Sequence, residues 1–196
     1  MKIHGDAKSG NCLKVKWVCD RLALPYAWVS VDMLKRETRT PQFLALNSAG
    51  QVPVLEFDDG RTLAQSNAII RYLARGSALI PADAFAAAKM DEWLFWEQYS
   101  HEPCIAVSRF QMLYLGKAAS ALDPDMVRRG YAALDRMEQH LAPARFLVGD
   151  AFSLADVALL AYTRVAHEGG FDLAPYASIR RWIGESESEL GLPPAR

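Results

Sequence analysis

Cysteine is scarce in this chain. Cys12, Cys19 and Cys104 are the only three among 196 residues, and no two stand at CxxC spacing. Neither a zinc ribbon nor a dithiol redox pair is therefore written in the sequence. So few scattered thiols read as reduced, which fits a cytoplasmic setting. Net charge is equally slight: 22 Lys and Arg against 23 Asp and Glu leave −1. A chain this neutral lacks the footprint of a polyanion binder, so no nucleic acid partner is expected. Long apolar runs are missing as well. Stretches such as Val157 to Tyr162 fall far short of the roughly 20 residues that cross a bilayer. Residues 1–6 lack the apolar core of a signal peptide, so no membrane partner is expected either. There is no internal repeat and no low-complexity segment. At 51% hydrophobic and 23% charged residues, the composition is that of a globular protein.

What is there falls into two parts. Lys2-Ile3-His4 is a short strand closed by Gly5, and a helix follows from about Gly10 to Leu22, with Leu13, Val15, Trp17, Val18 and Cys19 as its apolar surface. Tyr26 to Val31 alternates and is rich in β-formers, a second strand. Thr40-Pro41 is an N-cap followed by proline at the first helical position, opening a short helix through Leu46. Residues 53–57 form a strand, Asp58-Asp59-Gly60 a hairpin turn and residues 61–64 the returning strand. A helix from Ser66 to Ala74 completes the order βαβαββα. The crossover strands are expected to pair in parallel and the hairpin antiparallel, in a mixed sheet with helices on its faces. Residues 1–75 make this domain, 76–82 a linker, and 83–196 an all-helical domain, so the fold class is α/β plus all-α.

In the second domain, Ala86 to Leu115 reads as one helical region with a kink expected at Pro103. Val127, Tyr131, Leu134 and Leu141 recur at helical spacing. Ser153-Leu154-Ala155-Asp156 is a capping box with Asp in the place of Glu, before a helix apolar nearly all round that belongs at a domain centre. Trp182 and Ile183 mark a last helix. The Trp93-Leu94-Phe95-Trp96 cluster cannot face one direction on a helix.

Three junctions of the first domain carry candidate chemistry. In Lys8-Ser9-Gly10-Asn11-Cys12, a helix N-terminus offers unpaired N–H groups and about half a positive charge to an anion. Ser9 adds a hydroxyl and Asn11 an amide, although Ser9 as a plain N-cap explains the same pattern. In Gln51-Val52-Pro53, a cis Val–Pro bond turns the backbone of Val52 outward to meet an extended peptide, whereas a trans proline merely opens a strand. In Gln65-Ser66-Asn67, the Ser66 hydroxyl and the N–H groups of a helix start form a carboxylate site, or again a simple cap.

Taken together, these stretches resemble the cytosolic glutathione transferases. Residues 63–73, Leu-Ala-Gln-Ser-Asn-Ala-Ile-Ile-Arg-Tyr-Leu, are similar to that family's glutathione-binding strand-to-helix segment. Gly50-Gln51-Val52-Pro53-Val54-Leu55 resembles its cis-proline segment, and Phe152-Ser153-Leu154-Ala155-Asp156 the capping box of its helical domain. The resemblance implies a thioredoxin-like first domain that binds the tripeptide, a second domain that supplies most of the electrophile pocket, and a homodimer. Glutathione is the implied co-substrate, with no metal.

Carried over by position, Ser66 holds the γ-glutamyl carboxylate and Gln65 contacts the same end. Val52 pairs by its backbone with the cysteinyl residue, Pro53 being cis. Gln51 and Lys35 lie near the glycyl carboxylate, with Arg36 and Arg39 as alternatives to Lys35. The thiol end resembles the serine-type theta, delta and Nu-like classes, because no Tyr precedes Tyr26 and Gly10 stands where beta-like enzymes have Cys. Ser9 is then the catalytic hydroxyl and Asn11 a second donor. Lowering a thiol pKa by two units takes about 2.7 kcal/mol, within reach of one hydrogen bond to a charged sulfur, about 1.5–3 kcal/mol, plus a helix terminus. Arg109 and Phe110 are the candidates for the electrophile pocket. Transfer to a small electrophile is the leading expectation. A glutathione-dependent disulfide reductase or peroxidase, and a noncatalytic binding protein of the same fold, are the alternatives.

Overall fold

The computed structural model describes residues 1–194, which divide into two compact units, Met1–Ser77 and the chain from Ala78 onward. In the first unit, β1 (Lys2–Gly5), α1 (Gly10–Arg21), β2 (Ala27–Ser30), α2 (Pro41–Leu46), β3 (Val54–Glu56), β4 (Thr62–Ala64) and α3 (Ser66–Leu73) follow the order expected from the sequence. The strands line up as β2-β1-β3-β4.

The pairing differs from expectation at one place. β1 and β2 are parallel, as a crossover requires, but β3 runs antiparallel to β1. β2 ends with Ser30 opposite Gly5, and β3 begins with Val54 opposite His4. The segment between them therefore returns to the end of the sheet that it left. Its helix, α2, has six residues, about 9 Å of rise, and its side chains build a local core with Phe43 against Val31 and Val54. The hairpin is antiparallel as expected, with Gly60 at φ 83° in its turn.

α1 lies against the sheet through Cys12, Val15, Trp17, Val18 and Cys19, all buried. Its approach is so close at Gly5 that a Cβ there would stand 2.9 Å from the Trp28 ring and 3.1 Å from the Cys12 sulfur. Only glycine fits. α1 and α3 pack side by side; Ile69 and Ile70 on α3 are fully buried.

The second unit contains α4 (Ala84–Trp96), α5 (Glu102–Leu113), α6 (Pro124–Leu141), α7 (Leu154–Thr163) and α8 (Ala177–Glu189), and no strand among the described residues. The irregularity expected at Pro103 sits one turn earlier, as a π-helical segment over Glu97–His101. Pro103 has no N–H to give the carbonyl of Tyr99, so the chain widens upstream and proline falls in the first turn of a fresh helix. On α6 the buried stripe is Met126, Gly130, Ala133, Leu134, Met137 and Leu141. Val127 and Tyr131 are half-buried at its margin.

α7 is buried at every one of its ten positions, the centre that its all-round apolarity requires. Its capping box forms with Asp156 as N3: one Asp156 oxygen accepts from the Ser153 N–H at 2.9 Å and the Ser153 hydroxyl at 3.1 Å. The other accepts from the Leu147 N–H and the Trp182 indole N–H, both at 2.9 Å. Burial pushes the Asp156 carboxyl up, against the pull of these four donors.

Asp156→Ala strands the buried Leu147, Ser153 and Trp182 donors together, and each lost partner costs about 1–3 kcal/mol. A loss of at least about 3 kcal/mol is expected in urea unfolding, with no change in secondary structure before the transition.

Candidate functional site

Register alone brings the three junctions together. His4 on β1 pairs with Val54 on β3, and Val54 pairs with Ala64 on β4. The chain leaves β1 after Gly5, enters β3 at Val54 and leaves β4 after Ala64, all at one end of the sheet. Residues 6–12, 51–53 and 65–67 therefore spring from a common edge.

At the first junction, Asp6 builds the turn. Its carboxylate accepts from the Lys8 N–H at 2.8 Å, and its carbonyl accepts from the Ser9 N–H at 3.1 Å. Ser9 takes the extended N-cap backbone, φ −75° and ψ 120°, and its carbonyl accepts from the N–H groups of Cys12 and Leu13. Its side chain makes no cap bond. The plain-cap reading of Ser9 is not what the structure adopts; the hydroxyl instead faces the Cys12 thiol, whose ionised form it favours. No acidic residue occupies the first turn of α1 or of α3, so no carboxylate of those turns competes for the positive ends of these helices.

At the second junction, Val52–Pro53 is cis. Pro53 is buried, Val52 half-buried and Gln51 exposed. The Gln51 carbonyl accepts from the Asn47 amide at 2.8 Å. Arg39 reaches the Ala49 carbonyl at 3.3 Å and lies against Gly50, where a Cβ would stand 2.5 Å from its guanidinium. Arg39 thus lies against the Ala49-Gly50 turn that leads into Gln51, whereas Lys35 is 76% exposed and pairs with Asp32 at 3.4 Å.

At the third junction, Gln65 holds φ 70° and ψ 109°. A non-glycine residue there costs about 1–3 kcal/mol and persists only where its surroundings enforce it. Its carbonyl accepts from the Ile69 N–H at 2.9 Å. Ser66, first residue of α3, is 5% exposed, and its hydroxyl donates to Asn11 Oδ1 at 3.0 Å. The same Oδ1 accepts from the Lys14 ammonium at 2.8 Å, and Lys14 also reaches Asn67 Oδ1 at 3.4 Å. Asn11 and Lys14 of α1 are in this way tied to Ser66 and Asn67 of α3. Lys14 and Asn67 were not among the residues singled out from sequence. Their one signal is positional: Lys14 stands at helical spacing from Gly10, Trp17 and Val18, a stripe that is otherwise small or apolar.

Cys12 is fully buried, accepts a long bond from the Asp6 N–H at 3.4 Å, and has its thiol pushed by burial to about 11. It is a packed thiol, not a nucleophile. Burial pushes Cys19 to about 11 as well. Among the described residues, no cluster of His, Cys, Asp and Glu is placed to hold a metal ion, and no helix is long and apolar enough to cross a membrane.

Arg109 and Phe110 belong to α5 in the second unit. Arg109 is 7% exposed and pairs with Glu168 at 2.6 Å. Phe110 is half-buried and stacks on Tyr114 with ring centroids 5.0 Å apart.

Residues 9–75 match the family model of the glutathione S-transferase N-terminal domain, and residues 114–185 that of the C-terminal domain. Glutathione S-transferase 3 of Zea mays is 36% identical over 165 residues, 80% of this chain and 73% of its own. A solved glutathione S-transferase from Pseudomonas fluorescens is 47% identical, with a TM-score of 0.92 over 95% of this chain and 94% of that one. A glutathione transferase homologue from Sulfitobacter, solved with bound glutathione, is 25% identical, with a TM-score of 0.80 over 97% and 94%.

Cys12, Cys19 and Cys104 are no more than 1% exposed and all are free thiols. The native protein at pH 8 is expected to show essentially no fast reaction with an aromatic disulfide reagent, and three equivalents after unfolding in guanidinium. Rapid native labelling of Cys12 would contradict its assignment as packing.

Proposed function

The chain belongs to the glutathione S-transferase family, and from that premise we propose that it ionises the thiol of bound glutathione and directs the sulfur to a small electrophile. One observation carries this reading: two acid-free helix N-termini and the cis-proline backbone share one end of the sheet, and the Ser9 hydroxyl is left out of its own helix cap.

Each end of the tripeptide meets suitable chemistry in this reading. The γ-glutamyl carboxylate sits on the backbone N–H of Ser66 and the other open N–H groups of α3, with Gln65 beside it. The backbone of Val52, next to Pro53, pairs with the cysteinyl residue. Gln51 and a cation, Lys35 or the closer-lying Arg39, take the glycyl carboxylate. The sulfur then lies at the start of α1, where the Ser9 hydroxyl donates to it and Asn11 is the second donor. The thiol proton leaves to solvent, the thiolate attacks carbon, and the leaving group departs with its electron pair. Cys12 is too basic to take part. In the helical unit Phe110 is the better contact for an apolar electrophile, because Glu168 already engages Arg109.

The reading extends to a cytoplasmic homodimer. Phe85, Phe95 and Tyr99, each 74% exposed or more, are surface that a second copy would cover. Sedimentation is expected to give about twice the 21.8 kDa chain mass.

Ser9→Ala removes one donor to a charged sulfur, about 1.5–3 kcal/mol, or roughly 10- to 100-fold. With an aryl halide at pH 6.5, kcat/KM is expected to fall by that factor while the KM for glutathione stays within about threefold. An unchanged thiol titration would remove Ser9 from the reaction. Turnover of a small mixed disulfide in preference to the aryl halide would replace transfer with disulfide reduction.

A further inference from the structure

Lys14 is the one fully buried lysine among the described residues, and one of the larger side chains buried there. A buried ammonium costs several kcal/mol even after relaxation, and an apolar side chain of the same length would fill the space between α1 and α3 without that cost. Packing alone does not account for it. Its position does: Nζ stands 2.8 Å from Asn11 Oδ1 and 3.4 Å from Asn67 Oδ1, touching the N-terminal turns of both helices that form the candidate site.

We propose that Lys14 is a positioning residue for the thiol, acting through the Asn11 amide. An ammonium is a donor only, so at 2.8 Å it fixes which way that amide faces. Oδ1 is turned to Lys14, so Nδ2, in the same plane, is directed away from it. The Ser66 hydroxyl, donating to the same oxygen at 3.0 Å, reinforces this orientation. The positive charge also draws electron density toward Oδ1, which makes the Nδ2 hydrogens stronger donors, and low local polarity preserves the effect. Asn11 thereby becomes an oriented, polarised donor beside Ser9. Because Oδ1 also binds Ser66, Lys14 couples the thiol end to the carboxylate end of the tripeptide.

This proposal rests on the reading of the site as a glutathione site, and the test separates the two. The probe is glutathione itself, its thiolate absorbance followed against pH on the wild-type protein, Lys14→Met and Lys14→Gln. Lys14→Gln keeps a donor for Asn11 and removes the charge, so it remains informative where Lys14→Met does not fold. Both variants are expected to raise the apparent pKa of the bound thiol by about one unit. The turnover number at pH 6.5 falls about tenfold and recovers at high pH, while the KM for glutathione stays within about threefold. Lys14→Arg, which retains the charge, is expected to restore most of the shift. A folded Lys14→Gln whose thiol titrates as in the wild type would overturn the role of Lys14 and leave the glutathione site standing. A wild-type protein that binds no glutathione, or binds it without thiolate, would overturn both.

Discussion

A single carbonyl oxygen stands at the centre of this first unit. Asn11 Oδ1 accepts from the Ser66 hydroxyl of α3 and from the Lys14 ammonium of its own helix, so the starts of α1 and α3 are held to each other. Were the two helices to slide apart, a buried ammonium and a nearly buried hydroxyl would each lose a partner, at about 1–3 kcal/mol for the neutral group and more for the charged one. The end of the sheet is therefore stiff where a ligand must be gripped at two places at once. Pre-organisation of this kind lowers the ordering cost of binding.

The sheet supplies the other half of the constraint. Because β3 re-enters beside the end of β1, the cis Val52–Pro53 step and the two helix N-termini share an edge instead of lying at opposite ends of a parallel sheet. Neither first turn contains an acid, so both partial positive charges remain to be answered by something else. A tripeptide with carboxylates at its ends and an ionisable sulfur in its middle has the complementary charges. The helical unit solves a different problem. There, Asp156 gathers four donors from three segments, and a fully buried helix forms around that point.

Much of this was legible in the sequence for physical reasons. Thr40-Pro41, Asp58-Asp59-Gly60 and Ser153-x-x-Asp156 announce their elements because caps and turns are local, and the structure places each as expected. The antiparallel entry of β3 was not legible, since the direction of a returning segment depends on the local core around Phe43 and not on any residue in the strand. Pro103 signalled a disturbance in its helix but not that the disturbance would fall upstream as a π-helical turn. At Ser9 the sequence allowed both a plain cap and a hydroxyl offered to an anion, and only the folded turn shows that the side chain makes no cap bond. Lys14 was the largest omission. A lysine in a helix ordinarily reads as a solvated face, and its burial follows from α3 packing over it, a contact 53 residues distant in sequence from Asn67.

A crystal structure of the glutathione complex tests the central claim most directly. The account places the sulfur within about 3.5 Å of Ser9 Oγ and of Asn11 Nδ2, the γ-glutamyl carboxylate on the first turn of α3, and Lys14 still against Asn11 Oδ1. A sulfur directed away from the start of α1, or an Asn11 amide that has turned its oxygen toward the sulfur, would contradict it.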